Sequence, residues 1–192
     1  MTNTQNPCSS LVEITEMRHG VMIDLVYATS RNITGAPIYR DNMPCMLLLP
    51  AERALTLAAR SAGQLGYRLK IFDAYRPIEA QWILWNLMPD AAYVANPVEG
   101  SHHNRGIAVD LTLVDLNGEE LDMGTNFDAM TKGSHHLYDG LPQRVQRNRA
   151  MLLGIMLASG FTHMPTEWWH YQLPNADSYP IIVDSRASEV TA

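Results

Sequence analysis

The stretch Gly100-Ser101-His102-His103-Asn104-Arg105-Gly106-Ile107-Ala108-Val109-Asp110-Leu111-Thr112-Leu113 places a histidine and an aspartate on either side of a glycine. From Ile107 onward it alternates with period two. The pattern predicts a β-strand with Ile107, Val109, Leu111 and Leu113 on one face and Ala108, Asp110 and Thr112 on the other. A carboxylate buried beside a lone methyl group is expensive unless a cation meets it, and an Arg, a Lys or a metal ion would serve. Gly106 permits a sharp turn, so His103 is free to swing back over the face that carries Asp110. A second stretch, Pro165-Thr166-Glu167-Trp168-Trp169-His170-Tyr171, supplies more of the same chemistry. Pro165 forces Met164 towards an extended conformation, after which His170 and Gln172 oppose Trp169, Tyr171 and Leu173 as they would on a strand. Two histidines and an aspartate suit a zinc ion with a fourth position left for water, and Glu167, in the bend before His170, suits a general base.

Together, Ser101-x-His103-x-x-Gly106-x-Ala108-x-Asp110 and Glu167-Trp168-Trp169-His170 closely resemble the motifs of the VanX-type D-alanyl-D-alanine dipeptidases. These are zinc enzymes related in fold to D,D-carboxypeptidases and the hedgehog signalling domain. The resemblance extends, in the family's order, to Tyr27-Ala28-Thr29 with Asn32-x-Thr34-Gly35, to Asp73-Ala74-Tyr75-Arg76-Pro77 and to Gly124-x-x-Phe127-Asp128. It implies one zinc per chain on His103, Asp110 and His170, with Glu167 as the acid/base. It also implies that Tyr27 and Asp128 lie near the free ammonium of a small D,D-dipeptide, and Ser101 near its backbone or carboxylate.

Arg76 has two readings, a plain surface pair with Asp73 or a guanidinium set against the scissile carbonyl oxygen. The second is favoured because Pro77 restricts the turn in which Arg76 sits. The resemblance gives no ligand role to His102, His135 or His136, which are expected on the surface or behind the ligands, and Trp168 and Trp169 are expected to pack around the site. The activity implied is hydrolysis of D-alanyl-D-alanine to two D-alanines. One alternative is a D,D-carboxypeptidase or endopeptidase acting on wall stem peptides, disfavoured by the lack of a wall-binding repeat or a basic surface. The other is a non-catalytic, hedgehog-like metal-binding module, disfavoured by the presence of both Glu167 and Arg76.

Elements elsewhere must position these residues. With 192 residues and 46% hydrophobic content, the chain suits one domain, placed at 12–185 between loose ends 1–11 and 186–192. Strands are predicted over 22–27 and 68–73, and a helix opens at Pro50 and stops at Gly66. A second helix runs from Pro77 to Met88, and a third from Pro142 to Gly160. Asn117-Gly118 predicts a tight hairpin whose return strand covers 120–123. The fold class expected is α+β, a small antiparallel sheet with helices packed on it, and the family resemblance implies that it is hedgehog- or D,D-peptidase-like. A net charge of −6 argues against nucleic acid or an anionic membrane as partner. No run approaches the roughly 18 apolar residues of a membrane span. Cys8 and Cys45 lack a Cys-x-x-Cys spacing and read as reduced bystanders. With no signal-like opening, the expected location is cytoplasmic, or periplasmic for a mature form.

Overall fold

The computed structural model of the chain describes residues 10–91 and 93–182, so Cys8, residues 1–9 and the tail 186–192 lie outside the described residues. The strands are β1 (Leu11–Glu13), β2 (Met22–Ile23), β3 (Met46–Leu48), β4 (Arg68–Asp73), β5 (Ala108–Val114), β6 (Thr162–His163) and β7 (His170–Gln172). The helices are α1 (Glu16–His19), α2 (Leu49–Gln64), α3 (Ile78–Leu87) and α4 (Gln143–Ala158). β1 pairs with β3, while the other five strands form one sheet in the order β2-β4-β5-β7-β6. The architecture is α+β. Leu11, set outside the domain from sequence, opens β1 and pairs with Leu48.

The alternation that predicts β5 also explains the core. Val109, Leu111 and Leu113 join Leu55, Ala58 and Ala62 of α2 and Leu152 and Met156 of α4 in one apolar cluster. Removing such side chains from water is the main favourable term of folding. It leaves Asp110 on the opposite side of the strand, buried among polar groups.

Register then gathers the chemistry. Asp73 of β4 faces Asp110 of β5 across a bulge after Ile71, and Asp110 faces His170 of β7. Three polar side chains thus stand in a row across three neighbouring strands. Like charges opposite each other repel, so the Asp73–Asp110 pair requires a cation between them.

Four sequence expectations are corrected. The strand over 22–27 stops at Ile23, and Val26–Ala28 forms a 3-10 turn closed by the Thr29 hydroxyl, which donates to Val26 O at 2.9 Å. Tyr27 therefore sits on a turn. β2 runs parallel to β4, so the sheet is mixed. The Asn117-Gly118 turn forms, yet its return strand shrinks to a single bridge between Val114 and Glu120. The helix predicted to stop only at Gly66 already ends at Gln64, and Leu65 beyond it is exposed.

Candidate active site

His103, Asp110 and His170 are all buried, and their ligating atoms lie within 4.8 Å of one another. Gly106 makes this possible. Its φ is +66°, and a Cβ there would meet Leu11 Cδ2 at 3.0 Å and Ile182 Cδ1 at 3.2 Å. The His103 Nδ1–H donates to Ala74 O at 2.7 Å, which leaves Nε2 as a bare acceptor. That Nε2 lies 3.3 Å from Asp110 Oδ2 and 3.1 Å from His170 Nδ1, which is itself 2.9 Å from Asp110 Oδ1. Three acceptor groups converge on one point, a donor set that fits a cation. Atoms about 2.0–2.1 Å from a tetrahedral zinc stand about 3.3 Å apart, close to these separations. Burial works against the charge on Asp110, but His103 and His170 hold its carboxyl well below the usual range.

Arg76 lies between the two aspartates. Its Nε and Nη2 donate to Asp73 Oδ2 at 3.0 and 2.8 Å, its Nη1 donates to Gln81 Oε1 at 2.9 Å, and Nη2 is 3.9 Å from Asp110 Oδ2. The surface pair weighed from sequence is therefore a buried one. Asp73, 0% exposed, also accepts from the Tyr39 hydroxyl. A guanidinium carries five N–H donors, and three are used here, so one on each terminal nitrogen is left over. The guanidinium carbon also lies 4.8 Å from the centroid of the Tyr27 ring.

Arg76, Gln81 and the His103, Asp110 and His170 trio line a cavity of about 170 Å³ that also presents Tyr27, Ser101, Asp128, Glu167 and Trp169. Glu167 Oε2 is 3.9 Å from His170 Nδ1, so the carboxyl stands beside the ligand set without joining it. Burial, reinforced by Asp110 and Asp128, pushes its pKa well above the usual carboxylate value. A carboxyl raised in this way is suited to holding a proton and passing it on.

Asp128 adopts φ +60° and accepts the Tyr27 hydroxyl at 2.8 Å. Burial pushes its pKa up to about 7, against the Tyr27 hydrogen bond and with the help of Asp110. Ser101 is committed locally: its amide and hydroxyl both donate to Asn104 Oδ1, at 2.8 and 3.0 Å.

A family model described as D-ala-D-ala dipeptidase matches residues 8–191. The chain belongs to this peptidase family. It is 43% identical over 176 residues to the D-alanyl-D-alanine dipeptidase of Escherichia coli, covering 92% of this chain and 91% of that one. To the D-alanyl-D-alanine dipeptidase of Enterococcus faecalis it is 37% identical, covering 85% and 93%. Among solved structures, a VanY D,D-pentapeptidase from a VanB-type resistance cassette, in complex with Zn(II), aligns over 72% of this chain and 79% of its own at 16% identity and a TM-score of 0.44.

The structure also brings in residues that sequence reasoning passed over. His102, expected on the surface or behind the ligands, is half-buried on the cavity wall, its ring 5.8 Å from that of His170. Burial, with His170 and His103 nearby, lowers its pKa to about 4 and keeps it neutral. Gln81 links Arg76 to Ala95 O, and Asn104 Nδ2 donates to Arg76 O. An i, i+5 relation to Arg76 across a helix start was the only sequence signal for Gln81. His136 packs against His163 and Tyr171, away from the ligand trio. Trp168 and Trp169 pack edge to face, but Trp169 also forms part of the cavity wall. Cys45 is buried, which pushes its thiol up and leaves it unreactive. No helix among the described residues is long and apolar enough to cross a membrane.

Proposed function

We propose that the chain is a zinc-dependent dipeptidase that hydrolyses D-alanyl-D-alanine to two D-alanines. The observation that carries this reading is the small cavity in which the ligand trio, Glu167, Arg76 and Asp128 meet. At about 170 Å³ it is smaller than the roughly 300–1,000 Å³ of sites for drug-sized ligands. A free dipeptide fits that scale better than a wall stem peptide does.

Zinc held by His103, Asp110 and His170 would supply Lewis acidity and an acidified water. The other steps belong to the protein. Glu167 takes the proton of the attacking water and delivers it to the departing amine. The two uncommitted N–H groups of Arg76 face the negative charge that grows on the carbonyl oxygen. Asp128, backed by Tyr27, holds the substrate ammonium, and Ser101 lies near the backbone or carboxylate end.

The test compares free with capped substrate. Acetylating the amine removes its charge, leaves the Asp128 carboxylate without a partner and adds bulk. N-acetyl-D-alanyl-D-alanine is expected to be cleaved with kcat/KM at least about 10²-fold below that of the free dipeptide. L-alanyl-L-alanine should barely react, because inversion misaims the carbonyl. Comparable kcat/KM for the free and acetylated D,D-dipeptides would reject the dipeptidase reading and promote the carboxypeptidase one.

A pH profile gives an independent check on Asp128. Its carboxyl is ionised only above about 7, so kcat/KM for the free dipeptide should rise as pH climbs through that value. The same shift has a cost in stability. A carboxyl raised from its unfolded value near 3.9 holds a proton in the folded state that the unfolded chain has lost, so its contribution to stability falls as pH rises from about 4 to 7. Asp128→Asn should flatten the rising limb of the profile and raise Tm at pH 8 more than at pH 5. A limb unchanged in Asp128→Asn would assign the titration to another group.

A further inference from the structure

Arg149 occupies an odd place for a charged residue. On α4, Val145, Arg149 and Leu152 form the buried stripe, and Arg149 is only 3% exposed. A buried guanidinium ordinarily meets a carboxylate. Here Nε donates to Met123 O at 2.7 Å, Nη1 to His135 O at 2.9 Å and Nη2 to Gly133 O at 2.7 Å, all of them main-chain carbonyls. Burial lowers its pKa to about 10, so it remains charged at neutral pH.

The three carbonyls bracket one arch of chain. Between Asp122 and Pro142 there is no strand or α-helix, only a 3-10 turn at Lys132–Ser134, and Asp128 lies in the middle. Irregular backbone of this length must find partners outside itself. Arg149 ties both feet of the arch to α4. Gly124, φ +81°, brings one foot so close that a Cβ would meet Val145 Cγ1 at 2.8 Å. Trp168 makes a second tie, since its Nε1 donates to Thr125 Oγ1 at 2.9 Å and its amide to Ser134 O at 3.0 Å. At the crown, Asp128 keeps a left-handed backbone, which a side chain other than glycine holds only where its surroundings enforce it.

We propose that Arg149 is the positioning residue for substrate-ammonium recognition: by fastening Met123, Gly133 and His135 to α4 it holds Asp128 against Tyr27 in the cavity. The inference rests on the reading of Asp128 as the ammonium partner. A planar fork of fixed donors is what three separately placed carbonyls demand, and a lysine ammonium cannot span them.

Arg149→Lys in the full-length, zinc-loaded protein tests this. KM for D-alanyl-D-alanine should rise about tenfold or more, kcat should stay within about threefold, and zinc per chain should be unchanged. The ratio of kcat/KM for free over N-acetylated dipeptide should fall about tenfold, and adding Asp128→Asn to Arg149→Lys should lower it little further. A merely structural role would lower kcat for both substrates alike and leave KM and the ratio in place, which overturns the proposal. A KM within twofold of the unmodified protein, with the preference for free dipeptide intact, overturns it alone. Equal cleavage of both substrates by the unmodified protein overturns the reading of Asp128 and this proposal with it. Should Arg149→Lys fail to fold, Thr125→Val removes the side-chain tie between Trp168 and the same arch without disturbing a buried charge. It should lower the ratio about threefold, and an unchanged ratio overturns the proposal.

Discussion

Glu167→Gln is expected to keep the full metal content of the protein while lowering kcat by about 10²–10⁴-fold, the usual loss when a general base is removed. The geometry separates the two properties. Glu167 stands 3.9 Å from His170 Nδ1 and outside the ligand trio, so an isosteric amide should leave the trio in place. An amide cannot take up a proton from water. Gln is nearly isosteric with Glu and brings no charge to be desolvated at this buried position. Asp110→Ala should behave in the opposite manner. It removes the one anion of the trio, so metal content and activity should disappear together. Metal analysis of the two purified variants, beside their turnover, decides the matter. Full zinc occupancy in Asp110→Ala would reject the ligand assignment, and substantial turnover in Glu167→Gln would reject the role of the base.

Much of this site could be read from sequence because its residues sit on regular elements with strict periods. The alternation through Ile107–Leu113 located Asp110 opposite an apolar face, and β4 ends at Asp73 as its own alternation predicts. What escaped was long-range or made by side chains. That β2 runs parallel to β4 depends on pairing between distant segments, and Tyr27 left the strand because the local turn is closed by a hydroxyl. The return strand after Asn117-Gly118 failed for a similar reason. Asp122 Oδ1 accepts the Gly124 amide at 2.9 Å, and Arg149 draws Met123 O towards α4, so the chain peels away from β5. Asp73 and Arg76 are three residues apart in sequence, yet no periodicity reveals that their pair is buried, or that it lies in register with Asp110 and His170. That row is a property of strand register, which two-residue periods constrain only within each strand.

Arg76→Ala should lower kcat by about 10²–10³-fold and move KM much less, as when an oxyanion donor is removed. The buried pair adds a complication. Deleting the guanidinium leaves Asp73 at 0% exposure with the Tyr39 hydroxyl but no cation, and breaking a buried pair from one side costs about 3–5 kcal/mol. Loss of activity in the single variant would therefore mix lost chemistry with lost folding. Asp73→Asn/Arg76→Ala separates them, because it removes the stranded charge together with the guanidinium. The double variant should recover much of the lost Tm and none of the lost kcat. Arg76→Lys should recover part of kcat, since an ammonium keeps the charge near the carbonyl oxygen but cannot serve Asp73, Gln81 and substrate at once. Two results would assign Arg76 elsewhere. Turnover restored in the double variant would make Arg76 only the neutraliser of Asp73, and a KM that rises while kcat holds would make it a clamp for the substrate carboxylate.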